Sequence, residues 1–307
     1  MLKRKAIRKI IITTFVLFIV MTICMIPSKN KKQDIEYHYI STKDVSVYLL
    51  NPNDQLTKVD FKVDDKDIET TIREIINKLT VSNDASIPNK FKQVIPKNVK
   101  LLDLYFDEGI LNLNFSKELL NIKEEDISKI VESITYSLLD LPNINGVSIY
   151  IEKENLSIKY PKIPNIITKE FGINKRYFLN SFDDVSKVVI YYLDNEDDNY
   201  FYVPITKYMN DDRDKIKIII DELSSNYIYE SNLISLLDKN IELLNYEIVS
   251  DTMVLDFNNS IFLENDKLLE EVVYSISYSI FDNYDVEKVV FQANGEEFAK
   301  KTAKVIE

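Results

Sequence analysis

The chain has 307 residues, 45% of them apolar and 29% charged, a balance that suits a soluble, globular body of one large or two ordinary domains. The net charge is −12, although the first 30 residues hold six basic side chains and no acid; so acidic a body is repelled by nucleic-acid phosphates and anionic lipid. One cysteine and one histidine exclude an intramolecular disulfide and a Cys/His zinc site, and four glycines argue against a Gly-rich phosphate loop.

Residues 1–9 form a basic cytoplasmic flank. An uncharged run of 17 residues follows, Ile10–Ile26, at the short end of the roughly 17–25 residues that cross a bilayer. Residues 10–27 therefore read as a transmembrane helix or signal anchor, with the body outside the cytoplasmic membrane. A cleaved signal peptide is a second reading, but small residues at a cleavage site are missing. Lipidation of Cys24 is a third, opposed by the bulky Ile23 before it. A tether spans residues 28–43, polar around Ser28–Asp34. It contains His38, the only base available to a Ser-His-Asp triad, in a place where nothing would hold it rigidly.

The first module is expected over residues 44–155. Asp44–Leu50 is rich in Val and Tyr and reads as a strand. Ile68, Ile72, Ile75, Ile76 and Leu79 have helical spacing, with Asp64, Asp65 and Asp67 placed to cap the first turn. Val99–Phe106 is a second strand, and Asp107-Glu108-Gly109 is a tight turn in which Gly109 can take positive φ. Leu111, Leu113 and Phe115 alternate with Asn112 and Asn114, the pattern of a strand with one buried face. Ile127, Val131, Ile134, Leu138 and Leu141 line a second helix, ended at Leu141-Pro142. Val147, Ile149 and Ile151 alternate in a last strand. The order is β-α-β-β-α-β, with both helices on one sheet face.

Residues 156–185 form a connector, irregular or with an extra strand at Leu156–Tyr160. The second module, residues 186–297, repeats the first. Lys97, Leu101, Leu113, Phe115, Ser133, Tyr136, Ser137 and Val147 align at one constant offset with Lys239, Leu243, Leu255, Phe257, Ser275, Tyr278, Ser279 and Val289. So long a period suits a duplicated domain and not a solenoid. The second copy is expected to differ by a hairpin-like extension, with Asp194–Asn199 between two Tyr-rich runs. Residues 298–307 are left as a tail.

Polar clusters that could carry chemistry are few. Asp103, Asp107 and Glu108 could supply the carboxylate pair of a glycosidase, but the second copy has Asn245, Val249 and Ser250 there. Asp194–Asn199 lacks the glycine and glutamate that an EF-hand needs and reads as a solvated hairpin tip. Tyr136 and Tyr278 recur on the second helix and read as core or rim, whereas Tyr200 and Tyr202 are the interface candidates. No catalytic, cofactor or metal residue emerges.

Four stretches carry a family resemblance: Ile95–Leu102 at the entry to the second strand, Leu111–Ser116, Ile134-Thr135-Tyr136-Ser137-Leu138, and Val147-Ser148-Ile149. They resemble the GerM domain of sporulation and spore germination proteins of Gram-positive endospore formers (Firmicutes). The usual Leu-Leu-x-Gly-Pro after the first helix is replaced by Lys78–Ser82 and by Glu222-Leu223-Ser224. The resemblance implies an α+β chain of two tandem modules, similar to ring-building motifs, behind a transmembrane anchor. It implies a non-catalytic, extracytoplasmic protein without a cofactor, acting as scaffold or assembly factor between mother cell and forespore. Its partners would be other sporulation envelope proteins, further copies of itself and the membrane. The other functional reading is an accessory or sensory module on peptidoglycan that regulates a cell-wall hydrolase.

Overall fold

The computed structural model describes residues 4–24, 41–196, 199–225, 228, 232–261 and 269–303. They fall into two units, Met1–Ile40 and Ser41–Glu307. In the first, Arg4–Cys24 is a single helix, α1. No described helix is long and apolar enough to cross a membrane. The uncharged part of α1 begins at Ile10, so at 1.5 Å per residue it spans about 22 Å against a hydrocarbon core of about 30 Å. Met25 and Ile26, which complete the apolar run, lie outside the described residues, as do Ser28–Asp34 and His38.

In the second unit the first module comprises β1 (Thr42–Leu50), β2 (Leu56–Asp64), α2 (Ile68–Leu79), β3 (Leu101–Asp107), β4 (Ile110–Phe115), α3 (Glu124–Leu138), β5 (Gly146–Ile151) and β6 (Glu154–Asn155). A connector with the short helix α4 (Leu156–Lys159) and strand β7 (Arg176–Phe178) follows. The second module comprises β8 (Ser186–Glu196), β9 (Asn199–Met209), α5 (Lys215–Ser224), β10 (Leu243–Val249), β11 (Thr252–Phe257), α6 (Glu270–Phe281), β12 (Lys288–Ala293) and β13 (Glu296–Thr302).

Each module thus runs β-β-α-β-β-α-β-β, the first one strand richer at each end than expected and the second one strand richer at its C-terminal end. The hairpin expected only in the second copy is present in both. In the first, Val59, Phe61 and Val63 are buried and pair back along β1. The Asn51 side-chain oxygen closes the turn by accepting from the backbone N–H groups of Asn53 and Gln55. Leu156–Tyr160 is no strand: Asn155 caps Ser157 N and starts the turn of α4. Residues 298–302 are not a tail, because β13 pairs antiparallel to β12 as far as Thr302. The start of α2 follows the expected chemistry, with Asp67 accepting from Thr70 N at 2.9 Å. At the β3–β4 turn Glu108 and Gly109 both have positive φ, as a two-residue hairpin loop requires.

The strands form three sheets, not one per module. Two are four-stranded, β3-β4-β5-β6 and β10-β11-β12-β13, with the pairs β4/β5 and β11/β12 parallel. The third is shared: the hairpins β1–β2 and β9–β8 meet edge to edge at β2 and β9, with β7 beside β9. In the first module Val47, Ile72, Ile75, Ile134, Leu113 and Ile149 join hairpin, helices and second sheet in one core. Ile190, Ile216, Ile219, Ile276, Leu255 and Val289 do so in the second.

At the β2–β9 seam Lys58 pairs with Tyr202 in antiparallel register. The same register sets Leu56 opposite Pro204, which has no N–H to give. Asn174 of the connector fills the gap with its side-chain amide. Leu56 N donates to its Oδ1 at 2.9 Å, and its Nδ2 donates to Leu56 O and Pro204 O, both at 2.8 Å. Asn174 holds φ at 47° and donates its own N–H to Glu132 of α3. With Ile163, Ile167 and Ile173 also buried, the connector is part of the folded body. Substituting Asn174→Gly keeps the backbone conformation accessible but leaves the Leu56 amide group unpaired. The expected loss is about 2 kcal/mol in urea unfolding; a change within about 0.5 kcal/mol would show that the amide does not hold the seam.

Candidate interaction surfaces and the seam between modules

Three of the four serines that recur in both copies clamp the outer strands of the shared sheet, while the hydroxyl of the fourth, Ser275, has no partner among the described residues. On α3, Ser133 Oγ donates to Tyr48 O at 2.6 Å and Ser137 Oγ accepts from Tyr48 N at 2.9 Å. On α6, Ser279 Oγ accepts from Tyr191 N at 2.9 Å. Helices therefore cover the free edges of β1 and β8, the usual protection of an edge strand. The two held tyrosines meet at the seam with their hydroxyls 3.0 Å apart. Tyr191 donates to Asp282 at 2.8 Å, which leaves Tyr48 to donate to Tyr191.

Beside the tyrosines lies a charge network. Asp140 follows the end of α3 and Asp282 caps the end of α6. Both stand where the helix dipole is already negative. Lys169 of the connector lies between them, its Nζ 3.0 Å from Asp140 and 2.7 Å from Asp282. Lys58 reaches Asp140 at 3.1 Å and lies over the rings of Tyr48 and Tyr278. Burial alone would raise the Asp140 carboxyl; Lys169 and Lys58 outweigh it and hold it well below the usual range. Burial likewise works against the Lys169 ammonium, and the two aspartates outweigh it and raise its pKa. Burial raises Tyr48, Tyr136 and Tyr191, so these hydroxyls stay neutral donors.

The residues singled out in the sequence are dispersed. Tyr202 is half-buried at the seam, its ring 5.2 Å from Tyr278 and 6.0 Å from Tyr274, so its contacts are within the chain. Tyr200 is half-buried near the start of β9. Tyr136 is fully buried and Tyr278 half-buried. Cys24 is the last residue of α1. Asp103 caps its neighbour Leu104 N, and Glu108 sits in the hairpin turn. Asp194 departs from the solvated tip expected of it: it is buried and accepts from Asn51 at 2.8 Å across the seam. Residues 197 and 198 of that stretch lie outside the described residues. Lys169 and Asn174 were not anticipated, because the connector has no second copy to reveal them. The paired serines stood in the repeat without a role.

Three surface features could meet a partner. The strands β3 and β10 are edges of their sheets, and both expose apolar side chains: Leu102, Tyr105 and Phe106 in one, Leu244, Ile248 and Val249 in the other. Each has a register break at the same place, Leu101/Asp103 and Leu243/Asn245. A groove of about 1130 Å³ lies between α3 and the connector, its floor including Ile127, Tyr160, Ile163 and Phe171. Charges along it are already matched, Lys175 with Glu132 and Lys129 with Asp54. A smaller groove of about 460 Å³ crosses the outer face of the first module's sheet.

Because the Asp140 carboxyl is depressed in the folded state, its stabilising effect is present above the unfolded value of about 4 and is lost as pH falls through the folded one. Lys169→Met deprives Asp282 of its lysine and leaves Asp140 with Lys58 alone. The expected loss at pH 7 is about 2–4 kcal/mol, below a fully buried pair because the lysine side chain keeps 30% of its surface exposed. The gap to wild type should narrow toward pH 3, as the stabilising effect of the ionised Asp140 is lost. Urea midpoints at the two pH values check this, and a gap independent of pH would remove the network from the account.

The sequence model for sporulation and spore germination matches residues 46–157 and 189–298. Spore germination protein GerM of Bacillus subtilis (strain 168) is 29% identical over 240 residues, which cover 74% of this chain. The chain spans 66% of that relative's length. A solved structure, the tandem GerMN domains of the sporulation protein GerM from Bacillus subtilis, superposes with a TM-score of 0.73. It is 27% identical and covers 83% of this chain, which spans 92% of it. The chain belongs to the sporulation and spore germination family and carries that family's module twice.

Proposed function

We propose that this chain is a non-catalytic assembly factor of a sporulation envelope complex, held to the membrane by its N-terminal segment with its body outside the cytoplasm. The observation that carries the reading is the repeated edge. In both modules the outer edge of the corresponding strand has no partner strand among the described residues, the strand is bulged at the same place, and apolar side chains are exposed along it. An uncovered edge can accept a strand from a partner protein. The same chain covers the edges of β1 and β8 with helix serines, so exposure of β3 and β10 is selective. The body is acidic, which favours a protein partner over nucleic acid.

Phe106→Asp combined with Ile248→Asp places one charge on each exposed edge. Stability should change by no more than about 1 kcal/mol per site. Crosslinking and co-purification of tagged full-length protein from sporulating cells should recover other envelope proteins with wild type and lose them with the double variant. Recovery of monomer alone, or of cell-wall fragments and hydrolases, would sink the reading.

The anchor has its own test. The apolar run Ile10–Ile26 reaches the lower limit of a span only when Met25 and Ile26 continue the helix. The full-length protein should remain in the membrane fraction after alkaline carbonate and carry its intact N-terminus by mass spectrometry. Release by carbonate would contradict a spanning anchor, and a mature chain beginning at an acylated Cys24 would replace it with a lipid one.

A further inference from the structure

The outer face of the sheet β3-β4-β5-β6 differs in kind from the same face of the second module. Strand pairing sets Tyr105, Asn112 and Ser148 in one row across β3, β4 and β5. The corresponding row in the second module is Glu247, Val254 and Val290. The same fold is thus built with valines at the two central positions. Where it has Asn112, the first module buries an amide, 5% exposed, in a place that does not require one. Asn112 Nδ2 donates to Ile110 O at 3.2 Å, which fixes the orientation of the amide. No donor among the described residues reaches its Oδ1. The oxygen is not sealed off from solvent, so it faces the groove, where water or a ligand meets it.

Asn112 opens into the groove of about 460 Å³, within the range of small-ligand sites. The far wall is the connector, which approaches the sheet over Gly146. A side chain there would meet Ile166 at 2.7 Å. Ser148 donates to Asn165 O at 2.8 Å and Asn155 donates to Ser148, so the wall is tied down by hydrogen bonds. Tyr150 lines the floor, and the apolar Ile110, Ile158 and Ile166 stand around it, the last two exposed. The groove therefore offers an aromatic ring, a free amide oxygen and an apolar wall in one place, with the carboxylate of Asp107 at its rim.

We infer that this groove binds a segment of neutral glycan bearing acetamido groups. A sugar ring has apolar C–H faces that suit Tyr150, and hydroxyls that suit its amide and hydroxyl lining. An acetamido group carries an N–H for Asn112 Oδ1 and a methyl for Ile158 and Ile166. The rim carboxylate disfavours anionic ligands. The second module has Val254 and Val290 in place of the amide and hydroxyl of this site. This inference is independent of the strand-edge reading, which uses β3 and β10.

The test is titration of the full-length protein, in a detergent without a sugar headgroup, with chitotetraose and with cellotetraose, followed by saturation-transfer NMR and calorimetry. Wild type should bind chitotetraose, with the acetamido methyls closest to protein, and bind cellotetraose at least tenfold more weakly. Asn112→Val imports the second module's residue at nearly equal volume. It should keep or raise the thermal midpoint and weaken chitotetraose at least tenfold. No binding by wild type, or equal binding by the variant, would overturn the site. Equal affinity for cellotetraose would overturn the acetamido assignment.

Discussion

Two aspartates, each at the C-terminal end of a helix where the backbone dipole is already negative, share one lysine ammonium from the connector. The three groups come from three parts of the chain: first module, connector and second module. With Lys58, which also reaches Asp140, two ammonium groups face two carboxylates, and both aspartates have a lysine only when all three parts are in place. Desolvation offsets much of the attraction in such a cluster, so its net contribution to stability is modest. Its stronger effect is on specificity, because any docking that strands Asp140 or Asp282 without Lys169 leaves a carboxylate in a low-dielectric site. The Tyr48–Tyr191 hydroxyl pair beside it imposes the same condition with neutral groups.

The shared sheet follows from that docking. Two hairpins meeting at their edges satisfy backbone groups that each module alone would expose, except where Pro204 interrupts the ladder. Asn174, five residues after Lys169, supplies the missing donor and acceptor there. The connector is thus fixed to both modules by a charge and by an amide within one short stretch. Modules joined by a continuous sheet behave as one body, and a partner meeting β3 and β10 meets two edges at a set separation.

Much of this fold was legible in the sequence. Helical spacing gave α2, α3, α5 and α6, the alternation of Leu111, Leu113 and Phe115 gave β4, and the constant offset gave the duplication. The strand β2 was readable in Val59, Phe61 and Val63 but is interleaved with Asp60, Lys62 and Asp64, and the run of aspartates reads as helix-capping chemistry. The shared sheet was not legible, since pairing between distant hairpins leaves no mark on local periodicity. For the same reason Asp194, in an acidic run, looks solvated until the neighbour that buries it is known.

Duplication supplies an internal comparison that a single module lacks. Where the copies agree in polar residues, as at Ser137 and Ser279 or Asp140 and Asp282, those residues clamp strands and balance charge at the seam, and the shared fold explains them. Where they agree in an exposed edge, as at β3 and β10, folding explains nothing, because neither edge is paired. Where they disagree at a buried position, the apolar member shows what the fold needs. At the position of the buried Asn112 the second copy has the half-buried Val254, so a neutral amide whose oxygen faces the groove stands where an apolar side chain also fits. Shared polar residues thus mark the scaffold, and an unshared buried one marks what a single copy was free to acquire.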